Sequence, residues 1–405
     1  MKLRVLGFLD AAVEYALYGV IFFIPISISL VGIFAGLAIV CFLIKKIVSP
    51  DFSSIKANKI FFIALLLFFG FMGLSLFNSG PLMAKSLTAL FIKWGRFPLL
   101  LWIIIDTFRD IGRILKGVQV LLFSAALVGL TVFSQKFLGL EFLRGRFIEN
   151  YSPSIGPFKN QNSLAAYLTC IIPIALAFSL WRWKKGVVKL SLLLVTGLLI
   201  LASVWTTSRG GLLGLIAGLI FIILVFSYSR IKKVFWPIFL SSYLFFMPLV
   251  GIVLLFSRNK QGSNSERLTL IHGALRMIKE HPFLGKGVGT FMDYCALYTN
   301  NFGAYYVHNC YLQIWAESGV FSLLSFLLFV GYVFYRSIEV CLRTPKSLNL
   351  FIFIGLNAGL LAFLVHSSFE VHLYSFQLSF LFWVVLGLTV ALGAKLDPKA
   401  ALVDK

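Results

Sequence analysis

Acidic residues are scarce in this sequence. Asp and Glu number 15 against 36 Lys and Arg in 405 residues, and all charged residues together reach only 13%. Soluble domains carry about 25%. With 60% of the chain hydrophobic, too few polar groups remain to cover a core of that size, which excludes a water-soluble protein. Continuous apolar runs, rather than strict alternation, exclude a transmembrane β-barrel. Cysteine is also rare. Cys41, Cys170, Cys295, Cys310 and Cys341 are scattered without a CxxC pair, so neither a thiolate metal site nor a disulfide framework is expected. Only Cys295 and Cys310 share an exposed loop region, and whether they pair is open. A cleaved leader is not expected, because Asp10 and Glu14 interrupt the first apolar run and no small-residue cleavage site follows. There is no internal repeat, low-complexity segment or interdomain linker.

The abundant feature is the apolar run of about 20 residues, the length of a membrane-crossing helix. About twelve such runs are expected, at 12–28, 30–44, 60–78, 86–105, 114–134, 163–180, 189–205, 211–228, 235–256, 311–334, 348–367 and 373–393. The fold class is therefore an all-α polytopic membrane protein, with residues 1–405 forming a single transmembrane domain.

Charge fixes the expected orientation. Lys45, Lys46 and Lys56, then Arg109, Arg113 and Lys116, then Arg182, Lys184 and Lys185 fall in alternate turns. So do Arg230, Lys232 and Lys233, and Arg336, Arg343 and Lys346. The positive-inside rule places these turns and both termini in the cytoplasm. It also explains the net charge of +21 without a nucleic-acid partner. Two long outer segments remain, 135–162 and 257–310. In the second, Ser263 and Glu266 have capping-box spacing. Leu268, Ile271, Leu275 and Ile278 share one helical face, and Pro282, Gly285, Gly287 and Gly289 follow. This predicts an amphipathic outer helix over the membrane mouth, in a loop inserted between spans nine and ten.

The candidate chemistry sits on the outer half. Arg144, Arg146, Lys159, Arg209, Arg258, Lys260, Arg267, Arg276, Lys279 and Lys286 form a basic surplus that topology does not explain. It fits an anionic ligand or lipid headgroups. Lys93 and Arg96 lie inside the fourth span, where lipid exposure would cost about 2.5–3.5 kcal/mol each; they should face the protein interior or a polar cavity. Arg209, between Thr206-Thr207-Ser208 and Gly210-Gly211, opens a helix, a setting that suits phosphate oxygens. His308 stands where the outer loop re-enters the membrane. An imidazole there is either a general base or merely hydrogen-bonded. The outer acids Glu141, Glu149, Glu266, Glu280, Asp293, Glu317 and Glu370 form no DxD or paired-carboxylate motif, so no metal site is expected. Gly285-Lys286-Gly287-Val288-Gly289 lacks the preceding strand of a nucleotide loop, and no cofactor is implied.

Three ordered segments resemble the O-antigen ligase and polymerase superfamily of bacterial envelope enzymes. They are Gly156-Pro157-Phe158-Lys159-Asn160-Gln161-Asn162-Ser163-Leu164-Ala165, then Thr207-Ser208-Arg209-Gly210-Gly211, then Glu266-Arg267-Leu268 through His281-Pro282-Phe283-Leu284-Gly285 and His308-Asn309-Cys310-Tyr311-Leu312-Gln313 to Glu317-Ser318-Gly319. They span about residues 156–330. Lys286 departs from the family, which more often has an apolar residue there. The resemblance implies a GT-C-like helical fold in the bacterial inner membrane with its active site facing the periplasm. It implies glycan transfer from undecaprenyl diphosphate, in the ligases to lipid A–core oligosaccharide, with membrane lipids as surroundings. Carried over by motif, Arg209 and Arg267 bind the donor diphosphate, and His308 activates the acceptor hydroxyl. Lys93 and Arg96 are added to the donor site on chemical grounds. Asn160, Asn162, His281, Asn309 and Glu317 are expected in support, Glu317 and His281 being the next candidates for the base. Ligase is the first reading, since one outer loop dominates and polymerases commonly show two. The alternatives are a polymerase using the same donor and, behind it, a glycolipid transporter, which would be expected to show an inverted repeat that the sequence lacks.

Overall fold

The computed structural model describes residues 2–148, 153–181, 183–231, 263–299 and 305–397. Among them, 11 helices are long and apolar enough to cross a membrane. In chain order the main helices are α1 (Lys2–Phe23), α2 (Ile28–Val48), α3 (Lys59–Leu74), α4 (Arg96–Thr107), α5 (Ile111–Leu138), α6 (Gln161–Ser179) and α7 (Gly186–Trp205). There follow α8 (Arg209–Ile231), α9 (Ser263–Glu280), α10 (Phe291–Tyr298), α11 (Cys310–Arg343), α12 (Leu348–His366) and α13 (Phe376–Leu396). The ninth expected span, 235–256, lies outside the described residues. The other spans coincide with helices that often run further than their apolar runs: α1 begins at Lys2 and α11 extends over 34 residues.

The fourth span is not one regular helix. It runs from Gly80 to Thr107 through a 3-10 turn, a short helix at Met83–Thr88 and a π turn at Ala89–Trp94 before α4. The Gly95 amide bonds the Leu90 carbonyl at 2.7 Å, a five-residue step. Pro98 has no N–H to return to Trp94, so the regular ladder cannot continue here. Lys93 is exposed rather than turned inward. The half-buried Arg96 lays its guanidinium over Phe376, 5.1 Å from the ring centroid.

Helices α6, α8 and α12 pack closely on one another. A Cβ at Gly214 would lie 2.5 Å from the Ala362 carbonyl, and one at Gly218 would lie 2.8 Å from that of Ala358. On the other side of α12, a Cβ at Gly359 would meet the Cys170 carbonyl at 2.2 Å. Small residues let the three backbones close on each other without a hydrophobic drive between helices in lipid. This clamp brings the start of α6, the start of α8 and the end of α12 together.

At the opposite end, where the basic turns gather, Asp106 is fully buried and takes Lys46 at 3.0 Å and Ser54 at 2.8 Å, with Arg109 also paired to it. These contacts tie α2 to the end of α4.

The described part of the outer segment 257–310 folds into α9 and α10. Leu270, Ala274, Met277 and Ile278 of α9 pack with Phe291, Cys295, Tyr298, Val307 and Ala316 into a core of their own. The buried face is thus rotated from the expected one, and Leu275 is 45% exposed. The helix packs on protein because α10 and α11 supply an apolar partner. Cys295 and Cys310 are both buried, free thiols. The segment before α6 carries a two-residue hairpin, Leu140–Glu141 against Arg146–Phe147.

Candidate functional site

The three motifs meet around Glu370, at the end of the α6, α8 and α12 unit away from the basic turns. Its carboxylate accepts from Arg267 Nη2 at 2.6 Å and from Asn162 Nδ2 at 2.6 Å on Oε1. On Oε2 it meets His308 Nδ1 at 2.8 Å. Arg267 Nη1 also donates to the Phe369 carbonyl at 3.2 Å. Burial works to raise the Glu370 carboxyl, but the hydrogen bond from His308 and the positive charge of Arg267 hold it below the usual carboxylate range. A carboxylate only accepts, so the proton on this bond belongs to His308 Nδ1, and the Nε2 edge is left for other chemistry.

Each participant is placed by local structure. Asn160 caps α6, its Oδ1 accepting the Ser163 amide at 2.8 Å, which fixes Asn162 in the first turn. Asn309 caps α11 through the amides of Tyr311 and Leu312 at 2.9 and 3.0 Å, which holds His308 just ahead of the helix. The Cys310 amide bonds the Ser367 carbonyl at 2.9 Å, joining α11 to the loop that carries Glu370. Arg209 is exposed at the start of α8. Ser208, beside it, donates to Asn162 Oδ1 at 3.0 Å.

Thr207 (φ 53°) and His308 (φ 58°) are the two non-glycine residues with positive φ among those described. For a β-branched threonine that conformation is an outlier. Held backbone strain of this kind costs roughly 1–3 kcal/mol and concentrates at functional sites. Here it marks two of the three motifs.

The remaining expected site residues fall elsewhere. Glu317 is fully buried and takes the amides of Gly289 and Phe291 at 2.8 and 3.1 Å, and Gln313 Nε2 at 2.8 Å. It anchors the loop after α9, which also bonds Lys286 N to the Ala316 carbonyl and Gly287 N to that of Glu317. Gly285 (φ 71°) and Gly319 (φ 80°) permit this contact. A Cβ on Gly285 would lie 2.3 Å from the Glu317 carbonyl carbon, and one on Gly319 would lie 2.0 Å from the Phe283 oxygen. His281 lies 3.0 Å from Lys286 Nζ, and burial and that ammonium push its pKa down. Several outer cations are already engaged: Arg146 with Glu141 and Gly156, Arg144 with Ile26, Arg276 with Tyr298. Lys93 and Arg96 share no hydrogen bond with the Glu370 cluster among the described residues. Between them, Trp94 packs edge-on against Tyr374 at 5.3 Å.

Glu370 and His366 are the members that sequence reasoning passed over. Glu370 was one of several outer acids, yet it is the only acid between Glu339 and Asp397, and that isolation in apolar sequence was the available signal. Among the described residues, no group of three His, Cys, Asp or Glu could hold a metal ion.

Fold and site together define an all-α polytopic membrane protein with a His–Glu–Arg cluster at one end of its bundle. Residues 194–327 match the O-antigen ligase family model, which supports membership of the O-antigen ligase superfamily and, in general, ligase- or polymerase-type activity. No curated protein matches the chain. The matched stretch holds Arg209, Arg267 and His308, whereas Asn162, His366 and Glu370 lie outside it.

Proposed function

We propose that the chain is an O-antigen ligase-like glycosyltransferase of the bacterial inner membrane. It transfers a glycan from undecaprenyl diphosphate to lipid A–core oligosaccharide on the periplasmic face, without divalent metal. The observation that carries this reading is the His308–Glu370 pair beside Arg267. Glu370 holds the Nδ1 proton of His308, so Nε2 takes the proton of an acceptor hydroxyl. The hydroxyl oxygen attacks the anomeric carbon while the bond from that carbon to the diphosphate oxygen breaks. The lipid diphosphate leaves with the electron pair, and a single displacement inverts the centre. Arg267 uses two of its five N–H donors on Glu370 and Phe369, which leaves others for phosphate oxygens. With Arg209 it offsets the charge that grows on the leaving group. Lys93 and Arg96 would attend the same diphosphate on its way in from the lipid side.

The ligase reading is favoured over a polymerase by the outer segments. The second, 257–310, supplies two helices and a core of its own. The first folds back on itself through the hairpin and the Arg146 bond to Gly156, so a single outer element dominates. Glycan analysis of a deletion strain tests this reading. Long chains left on undecaprenyl diphosphate beside bare lipid A–core are expected. Single repeat units capping the core would point to a polymerase.

A further inference from the structure

Behind the Glu370 cluster lies a fully buried histidine to which no role has been assigned. His366 closes α12, and its Nε2 stands 3.5 Å from Ser208 Oγ. Gly210 of the arginine motif makes room for it: a Cβ there would lie 2.9 Å from His366 Cδ2. The first glycine after Arg209 is therefore explained by this imidazole rather than by a phosphate.

The direction of every proton in the chain follows from Glu370. Its carboxylate must accept, so the atom of Asn162 that faces it is the NH2 and the atom that faces Ser208 is the carbonyl oxygen. Ser208 has one proton, and it goes to that oxygen. Ser208 Oγ then accepts, from the Gly211 amide at 3.3 Å and from His366 Nε2. His366 is thereby the Nε2–H tautomer. Its Nδ1 is buried without a partner among the described residues, and of the two orphans a bare lone pair is less costly than an N–H.

We propose that His366 is a positioning residue for His308, acting through Ser208, Asn162 and Glu370. Four side chains, on α12, just ahead of α8, on α6 and on the loop after α12, aim one carboxylate at one imidazole. Without His366, Ser208 and Asn162 are free to turn, Glu370 loses one of its three side-chain donors, and its hold on His308 Nδ1 loosens. The groups bearing on His308 are Glu370 on the loop after α12 and Arg267 on α9, with His366 and His372 behind them, the latter two ring centroids 4.3 Å apart. A loosened Glu370 therefore slows the step in which His308 acts on the acceptor and leaves donor binding as it was.

This inference rests on the proposed transferase reading, and the experiment separates the two. The full chain is purified and assayed with a lipid-diphosphate-linked glycan and lipid A–core across donor concentrations. His366→Leu and Ser208→Ala should each lower kcat by roughly 10–100-fold, the usual cost of removing support behind a reacting group. Both should do so at unchanged donor KM. His366→Gln, which keeps an N–H near the Nε2 position, should restore the rate. Ser208→Ala leaves the α8–α12 packing intact and decides the matter if His366→Leu does not fold. If His308→Ala turns over like the wild type, the functional reading itself is wrong. If His308→Ala is inactive while Ser208→Ala turns over like the wild type or changes only the donor KM, or if His366→Gln loses as much rate as His366→Leu, His366 does not position the dyad.

Discussion

His308 Nδ1 and Glu370 Oε2 lie 2.8 Å apart although 62 residues separate them in the chain. The loop after α12 is tied to the start of α11 by the Cys310–Ser367 backbone bond, so the pair is built by the packing of two spans. A carboxylate on one imidazole nitrogen selects the tautomer in which the other nitrogen can act as a base. Glu370→Gln should therefore lower kcat by roughly 10²–10⁴, a loss of the size that removes a general base, although Gln nearly conserves volume. Single-turnover rates on folded protein check this; a rate within a few-fold of wild type would show that His308 works without its partner.

The same carboxylate makes stability depend on pH in a defined direction. Its folded pKa lies below the ordinary value, so its contribution is complete above the unfolded pKa of about 4.3. That contribution is lost as pH falls through the lower folded value. The difference in thermal stability between wild type and Glu370→Gln should be steady from about pH 7 to 5 and should close below about pH 4. A gap that persists undiminished at pH 3 would mean that the Glu370 charge is not what stabilises the cluster.

All five native cysteines are buried, which gives a clean background for accessibility labelling. Lys279 on α9 and Lys184 beyond α6 are both exposed. If both termini and the basic turns are cytoplasmic, Lys279→Cys should react with an impermeant thiol reagent from the periplasm. Lys184→Cys should react only after the inner membrane is opened. The reverse pattern would invert the topology.

The spans were legible because a lipid-crossing helix needs nothing beyond length and apolarity, and eleven of the twelve expected runs coincide with helices among the described residues. The site was legible where it rests on local motifs. Arg267, His308 and Asn162 meet at one point, and Arg209 begins the helix beside it. Two kinds of feature were hidden. Glu370 and His366 join the site only through the packing of α12 between α6 and α8, a tertiary relation that leaves no local spacing to read. Lys93 and Arg96 were expected to face inward, whereas Lys93 lies exposed in a π turn that the apolar run does not announce. Glu317 has the residue type of a base, but the amides of Gly289 and Phe291 that surround it give it a structural occupation that becomes visible only once the loop is closed.

If transfer needs only a dyad and arginines, chelation should not stop it. Glycan transfer by the purified chain should survive EDTA at full rate. Loss of activity with EDTA and its recovery with magnesium or manganese would require metal ligands that the described residues do not bring together.

The roles of the imidazole and the guanidinium groups should separate kinetically. His308 acts on the acceptor, so His308→Ala should bind the lipid-diphosphate donor as the wild type does while turnover falls by roughly 10²–10⁴. Arg209 and Arg267 act on the donor, but they should not behave alike. Arg209 is exposed at the start of α8, so Arg209→Ala should weaken donor binding and turnover with little effect on folding. Arg267 also holds Glu370 and the Phe369 carbonyl. Arg267→Ala should therefore weaken donor binding and, in addition, leave a buried carboxylate with fewer donors, lowering thermal stability. Lysine should rescue either only in part, because a point charge cannot grip two oxygens in one plane. The measurement is donor affinity beside single-turnover rate and melting temperature for each folded variant. Equal losses of donor affinity in all three variants would show that the imidazole sits on the donor as well, and the assignment of His308 to the acceptor hydroxyl would have to be given up.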